Sequence, residues 1–300
     1  MNYIILDMEW DSAYCPRISR FINQIIQIGA VKLNESFEIV DTFEKTVRSS
    51  FSKKVSGRFT ALTGITTKDM LSGIPLENAV TLYNEWAGTD TVTMTWSNSD
   101  LFSIIENEKN LMRGVKFHIE KYLDLQSYIQ NEMRVLGFEI TSQIALGKAA
   151  EMLGITTDNL ELHTAKDDSL VCAALLKNHY CESRFNELIK DTQNPEFYKR
   201  LLFKPTYLSD IRSREIDRRK LRFKCDVCGS DTKRLGKWNY RNHWFSANFS
   251  CKSCDRKFSG RVSFKKLYDN VVVKKRICEI KVAQKSNEVN DEVQSVPEKV

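Results

Sequence analysis

Asp7 and Glu9 stand two residues apart, directly after the apolar run Tyr3-Ile4-Ile5-Leu6. In an extended strand, residues i and i+2 share a face, so this spacing delivers both carboxylates from the end of the strand to one point. Anionic oxygens gathered away from water repel each other and cost free energy unless a cation sits among them. Two further acids lie at junctions suited to a site. Asp100 comes just past a strand pattern ending at Trp96, with Ser97, Asn98 and Ser99 available as helix caps. Asp168 opens a helical pattern, five residues after His163. Four carboxylates from three segments suit hard divalent cations, Mg²⁺ or Mn²⁺. Two such ions, about 4 Å apart, clamp the entering and leaving oxygens of an in-line phosphoryl displacement. A histidine of ordinary pKa, about 6.5, takes a proton from water near neutral pH, and His163 fits that role. Each piece has a plainer reading: a solvated acid pair, an acid at a helix start, a loop histidine.

A second constellation is made of sulfur. Cys225-x-x-Cys228 and Cys251-x-x-Cys254 are paired as in tetrahedral structural Zn²⁺ sites. The 22 residues between the pairs slightly exceed the usual spacing of about 15 to 20. Gly229 and Asp255, each directly after a pair, tolerate the positive φ of a tight metal knuckle. His243 is a competing ligand. Four thiolates close the coordination shell, so no chemistry is expected at this metal. Between the pairs, Lys233, Arg234, Lys237 and Arg241 interleave with Trp238, Tyr240, Trp244 and Phe245. Charge for phosphates beside rings for bases is what a single-strand platform needs; the same rings also suit a minimal core, and a protein-binding role is the rival.

The elements that must position these residues follow from periodicity. Residues 25–33 and 37–43 read as an antiparallel pair joined at 34–36. Thr66 and Asp69 have capping-box spacing. Pro75 opens and Gly88 closes a helix with Leu76, Ala79, Val80, Tyr83 and Ala87 on one side. Residues 91–96 alternate as a half-buried strand. Ala145, Leu146, Ala149 and Leu153 mark a helix stopped by Gly154, and Leu170, Val171, Ala174 and Leu175 another, starting near Lys166. Strands followed by alternating strands and helices predict a mixed sheet covered by helices.

At 300 residues the chain has room for two domains. It has no apolar run of about 18 residues, and its first residues run straight into strand pattern without a basic-then-apolar leader; the expectation is a cytoplasmic chain with no membrane partner. The net charge of +6 is uneven. Between 211 and 224 lie Arg212, Arg214, Arg218, Arg219, Lys220, Arg222 and Lys224 against Glu215 and Asp217. The domain boundary is placed there. Cys15, Cys172, Cys181 and Cys278 are scattered and read as reduced thiols.

Asp7-Met8-Glu9, Trp96-Ser97-Asn98-Ser99-Asp100 and His163-Thr164-Ala165-Lys166-Asp167-Asp168, in that order, resemble the three motifs of the DEDDh (DnaQ-like) 3′→5′ exonucleases. The stretches 24–31 and 62–66 are similar to family sequence too. The resemblance covers roughly residues 1–184 and is nearest the branch of histone-mRNA exonucleases and sporulation-inhibitor-like exonucleases. It implies a ribonuclease-H-like α/β fold, a mixed sheet flanked by helices, with Asp7, Glu9, Asp100 and Asp168 as ligands of two catalytic Mg²⁺ or Mn²⁺ ions and His163 as general base. Thr164 separates the chain from the subgroup that uses tyrosine there. The chain departs from the commoner pattern at Trp10-Asp11, beside the family's terminal nucleotide. Met8 and Trp10 are expected at that nucleotide, Trp10 by stacking or else as a core aromatic, and Asp11 bears on sugar and base preference. The expected organisation is an exonuclease domain over 1–184, a basic linker over 185–220, a four-cysteine zinc-ribbon-like module over 221–282 and a disordered tail over 283–300. The expected activity is release of nucleoside monophosphates from single-stranded nucleic acid, with RNA slightly favoured over DNA by analogy. The alternative is a non-catalytic binding protein that uses the first domain as a scaffold.

Overall fold

The computed structural model describes residues 2–156 and 164–280; His163 and the tail 283–300 lie outside the described residues. The chain divides into two units, residues 1–201 and 202–300.

The first unit runs β1 (Asn2–Cys15), β2 (Arg20–Leu33), β3 (Ile39–Arg48), α1 (Gly57–Thr63), α2 (Thr67–Ser72), β4 (Ile74–Pro75), α3 (Leu76–Ala87), β5 (Thr91–Thr95), α4 (Ser99–Asn110), β6 (Lys121–Asp124), α5 (Leu125–Val135), α6 (Leu146–Met152), α7 (Ala165–Asn178), α8 (Glu182–Leu188), β7 (Lys190–Asp191) and α9 (Pro195–Leu201). The strands form one mixed sheet in the order β4-β3-β2-β1-β5-β6-β7. β1, β2 and β3 are antiparallel, while β5 joins β1, and β6 joins β5, in parallel. Thr66 and Asp69 close the expected capping box, and Gly88 and Gly154 take positive φ after α3 and α6.

Helices cover both faces of this sheet, and alternation along β1 shows how. Tyr3 and Ile5 pack with Val92, Tyr128, Val171 and Leu175 on one side. Ile4, Leu6 and Met8 pack with Val80, Tyr83, Leu101 and Ile104 on the other. Double coverage also corrects the reading of residues 91–96. All five residues of β5 are buried rather than every second one. Threonine at its alternate positions imitates a wet face, yet the hydroxyl of Thr95 lies 2.7 Å from that of Tyr122, inside the protein.

Residues 185–220 are not a bare linker. Phe185 is fully buried, β7 pairs with β6, and Phe197 and Leu201 of α9 pack on the second-face cluster. Leu208, Ile211 and Ile216 belong to the core of the second unit. These elements are too short to carry a periodic signal through so many charges.

The second unit holds β8 (Thr206–Tyr207), β9 (Thr232–Arg241), β10 (Trp244–Cys251), β11 (Lys257–Lys266) and β12 (Val271–Cys278) in an antiparallel sheet, β12-β11-β10-β9, with β8 on β11. Phe223, Phe245, Phe249, Phe258, Val262 and Phe264 fill its core. Among the described residues no helix is long and apolar enough to cross a membrane.

Candidate active site

The pair Asp7 and Glu9 does not end its strand. β1 continues to Cys15 against β2, with a bulge between Glu9 and Trp10. What ends is the neighbour: β5 pairs β1 only through Asn2–Ile5. Beyond Ile5 one edge of β1 is open, and the acids sit there. Asp100, in the first turn of α4, fills the gap by accepting the Met8 backbone N–H at 3.2 Å. A backbone donor left behind by a departing strand thus finds a carboxylate, as a buried N–H must find some acceptor.

Asp7 and Glu9 follow the parity of Tyr3 and Ile5, which point to the α7 side. The start of α7 comes close because residue 29, opposite Asp7 in β2, is glycine. A Cβ there would lie 2.4 Å from the carbonyl carbon of Ala165 and from the amide of Lys166. Gln27 docks the same turn: its side-chain oxygen accepts the Ala165 N–H at 3.2 Å, while its amide nitrogen donates to Glu44. Thr164 caps α7 by accepting the Asp167 N–H. Asp168, in the first turn, is thereby brought to the sheet. Carboxylate oxygens of Asp7, Glu9 and Asp168 all lie within 4.8 Å of one another. Neither Gly29 nor Gln27 stood out as functional in the sequence beyond lying in the 24–31 stretch similar to the family.

Burial, followed by repulsion from Asp168, pushes Glu9 up to about 8. Burial pushes Asp100 up to about 8 as well, against the backbone hydrogen bonds that oppose it. Asp7 is raised well above the ordinary range by burial, then by Asp100, Asp168 and Glu9. The buried thiol of Cys172 is raised by burial, then by Asp7, Asp168 and Asp100. A hard divalent cation among the oxygens reverses this preference for neutral forms, so donor type, convergence and charge all fit Mg²⁺ or Mn²⁺. Asp100 stands outside the tight group of three, with one oxygen engaged by Met8.

Three neighbours are assigned by the geometry. The Met8 side chain is 3% exposed inside the core, so the expected nucleotide contact from it is corrected: alternation points it away from the acids. Trp10 is half-buried against the same cluster and keeps part of its ring at the surface. Asp11 is buried and turned to Ser56, accepting its backbone N–H at 2.7 Å and its hydroxyl at 2.8 Å.

In the second unit the four cysteines of the two pairs converge, their sulfurs all within 4.8 Å. Cys225 and Cys254 sulfurs are 3.5 Å apart, those of Cys228 and Cys251 3.4 Å. That is far beyond the bonded distance of about 2.05 Å. Sulfurs about 2.3 Å from a tetrahedral zinc lie about 3.8 Å from each other, so the set fits Zn²⁺. Each knuckle is the same device: Gly229 and Asp255 take positive φ, and the amides of Cys225 and Cys251 donate to Ser230 and Arg256 carbonyls. His243 lies in the turn between β9 and β10, outside this cluster. Of the expected nucleic-acid contacts, Trp238 and Tyr240 pack against the core instead, and Arg234 lies over the Trp238 ring. Lys233, Lys237 and Arg241 are exposed and Trp244 is half-buried.

Residues 21–176 match the family model of the RNase_T exonucleases. A probable 3′-5′ exonuclease of Bacillus subtilis, KapD, is 29% identical over 186 residues, 59% of this chain and 83% of that protein. The nuclease domain of 3′hExo, a DEDDh family member whose structure contains rAMP, superposes with TM-score 0.50 at 23% identity, over 59% of this chain and 90% of that one. The cell-death related nuclease 4 is similar at TM-score 0.49 and 21% identity, and the chain spans only 62% of its length. The chain belongs to the RNase_T exonuclease family.

Proposed function

We propose that this protein hydrolyses the terminal phosphodiester at the 3′ end of single-stranded nucleic acid, RNA in preference to DNA, and releases nucleoside monophosphates. The convergence of Asp7, Glu9 and Asp168 at the open edge of β1 carries the reading. Asp7, Glu9 and Asp168 would hold two divalent cations, and Asp100 would complete the set while fixing Met8. Such ions supply positive charge to the phosphodiester oxygens as charge builds on them. His163 accepts the proton of the attacking water on a ring nitrogen as the water oxygen bonds to phosphorus. The bond from phosphorus to the 3′ oxygen of the penultimate nucleotide then breaks. Gly29 and Gln27 position Asp168 without touching substrate. The four-cysteine cluster would hold one structural Zn²⁺, all four thiolates serving as its ligands. The preference for RNA draws its support from 3′hExo, whose structure contains rAMP.

The test is mononucleotide release from 3′-labelled RNA and DNA strands of matched sequence. Asp7→Ala loses release while its fold persists; full activity in that variant removes the site from the reaction. Equal digestion of the two strands refutes the RNA preference alone.

A further inference from the structure

The sheet of the second unit has two unlike faces. Residues directly opposite across antiparallel strands share a face. Phe245, Val262 and their neighbours mark the covered one. On the other, Arg261 stands between Ser246 of β10 and Arg276 of β12. The next row brings Arg241 opposite Trp244 and Lys274 opposite Ser263, and farther along Lys265 faces Tyr207. Strands β8 to β12 together carry eleven lysines and arginines and not one aspartate or glutamate.

Two like charges directly opposite in a sheet are destabilising, and Arg261 with Arg276 is such a pair. A surface built only for solubility intersperses carboxylates; here the spaces between the cations hold Ser246, Asn239 and Asn248. Among the described residues Arg241, Arg261, Lys274 and Arg276 make no ion pair. The same face offers flat groups. The Arg276 guanidinium lies 5.1 Å from the centre of the Trp244 ring. Tyr207 stacks on His243, ring centres 4.2 Å apart at 16°. His243 sits in the two-residue turn joining β9 to β10, where it and Asn242 both take positive φ.

We propose that this open face binds single-stranded nucleic acid, phosphates on Arg241, Arg261, Lys274 and Arg276, bases on Trp244 and Tyr207. Charge complementarity demands a polyanion. The rings select the kind: a duplex keeps its bases stacked inside, whereas an unpaired strand offers one π-face per phosphate. The proposal rests on the exonuclease reading only for the class of polymer, and it gives the enzyme a second hold on that polymer, built from residues the acid cluster does not use.

Fluorescence anisotropy of a labelled 20-nucleotide oligo(U), with the zinc-loaded full chain and no added Mg²⁺ or Mn²⁺, reads binding without cleavage. Replacing both arginines, R261Q/R276Q, weakens binding about tenfold and flattens the dependence of log affinity on log salt by about 1.4, while its melting temperature equals or exceeds the wild type's. R261K/R276K keeps the salt slope. K116Q, in the first unit, changes neither. W244A weakens binding at high salt without altering the slope. Unchanged affinity and slope in a folded R261Q/R276Q overturn the proposal, as does binding of poly-glutamate through these arginines in place of the oligonucleotide. A chain that binds but never cleaves leaves this face standing and sinks the exonuclease reading instead.

Discussion

The carboxylate cluster and the cysteine cluster stand in opposite relation to the structures around them. Asp7, Glu9 and Asp168 are mounted on a sheet already fixed by two hydrophobic clusters, one on each face. Their mutual repulsion is a cost that this core absorbs. Cys225, Cys228, Cys251 and Cys254 join two knuckles at one end of a sheet that, among the described residues of its unit, has a single small core on one face. A metal held there would substitute for packing. Two clusters able to hold an ion thus differ in how much apolar surface lies behind them, which on the proposed reading fits one for catalysis and the other for architecture.

The largest expected effect tests that division directly. Cys251→Ala, or zinc removal by a chelator, abolishes the unfolding transition of the second unit and leaves that of the first, read by calorimetry. A single transition lost as a whole, or both retained, breaks the contrast. Asp7→Asn does the reverse: it leaves both transitions and removes activity.

Gly29→Ala comes next. Its methyl meets backbone rather than a yielding side chain, so α7 must shift, and displacements of about 1 Å in a catalytic constellation cost about a hundredfold in turnover. The overpacking itself costs about 1–3 kcal/mol, visible as a lowered urea midpoint. Retained turnover in Gly29→Ala detaches the placement of Asp168 from catalysis.

A smaller effect follows from titration. Unfolded carboxyls titrate near 4, whereas Glu9 and Asp100 in the fold titrate at about 8. Between those values the native state holds more protons than the unfolded chain, so stability of the metal-free first unit falls as pH rises from about 4 to about 8. Mg²⁺ or Mn²⁺ therefore raises the melting temperature more at pH 8.5 than at pH 5.5, and Asp100→Asn flattens the metal-free profile. A metal-free first unit that gains stability over this range contradicts the burial and repulsion assigned to the cluster. The second unit, whose strands hold no acid, is expected to show no such slope.

Much of the first unit was legible because its chemistry is ordered along the chain. Asp100 past a strand and Asp168 at a helix start lie at element boundaries that local patterning marks, the D-x-E pair follows an apolar run within one strand, and the two C-x-x-C pairs announce themselves by spacing. Contacts that depend on distant chain segments were not legible. Nothing local says that Met8 turns into the core while its amide holds Asp100, or that Gly29 is small for the sake of Ala165. Trp238 and Tyr240 looked like a binding platform because a strand's two faces cannot be assigned until its partners are known. Once paired, those rings turn inward, and the exposed cations of β11 and β12, unremarked in sequence, occupy the open side. The short elements of 185–220 hide among charges because so few residues in each one touch a core.

Asp11 sharpens the comparison at its finest point, since it is a buried acid two residues from Glu9 that needs no cation. Ser56 supplies what a metal would supply to Asp7: its amide and its hydroxyl both donate to Asp11, and the hydroxyl oxygen in turn accepts the Phe59 N–H to cap α1. Ser56→Ala removes the cap and leaves one Asp11 oxygen unpaired, a loss of about 1–2 kcal/mol in urea unfolding. Because the Asp11 hydrogen bonds run to Ser56 rather than to the acid cluster, turnover and the ratio of RNA to DNA digestion stay at the wild-type level. A changed ratio in Ser56→Ala, with turnover otherwise intact, returns Asp11 to the terminal nucleotide and moves the border of the site by two residues.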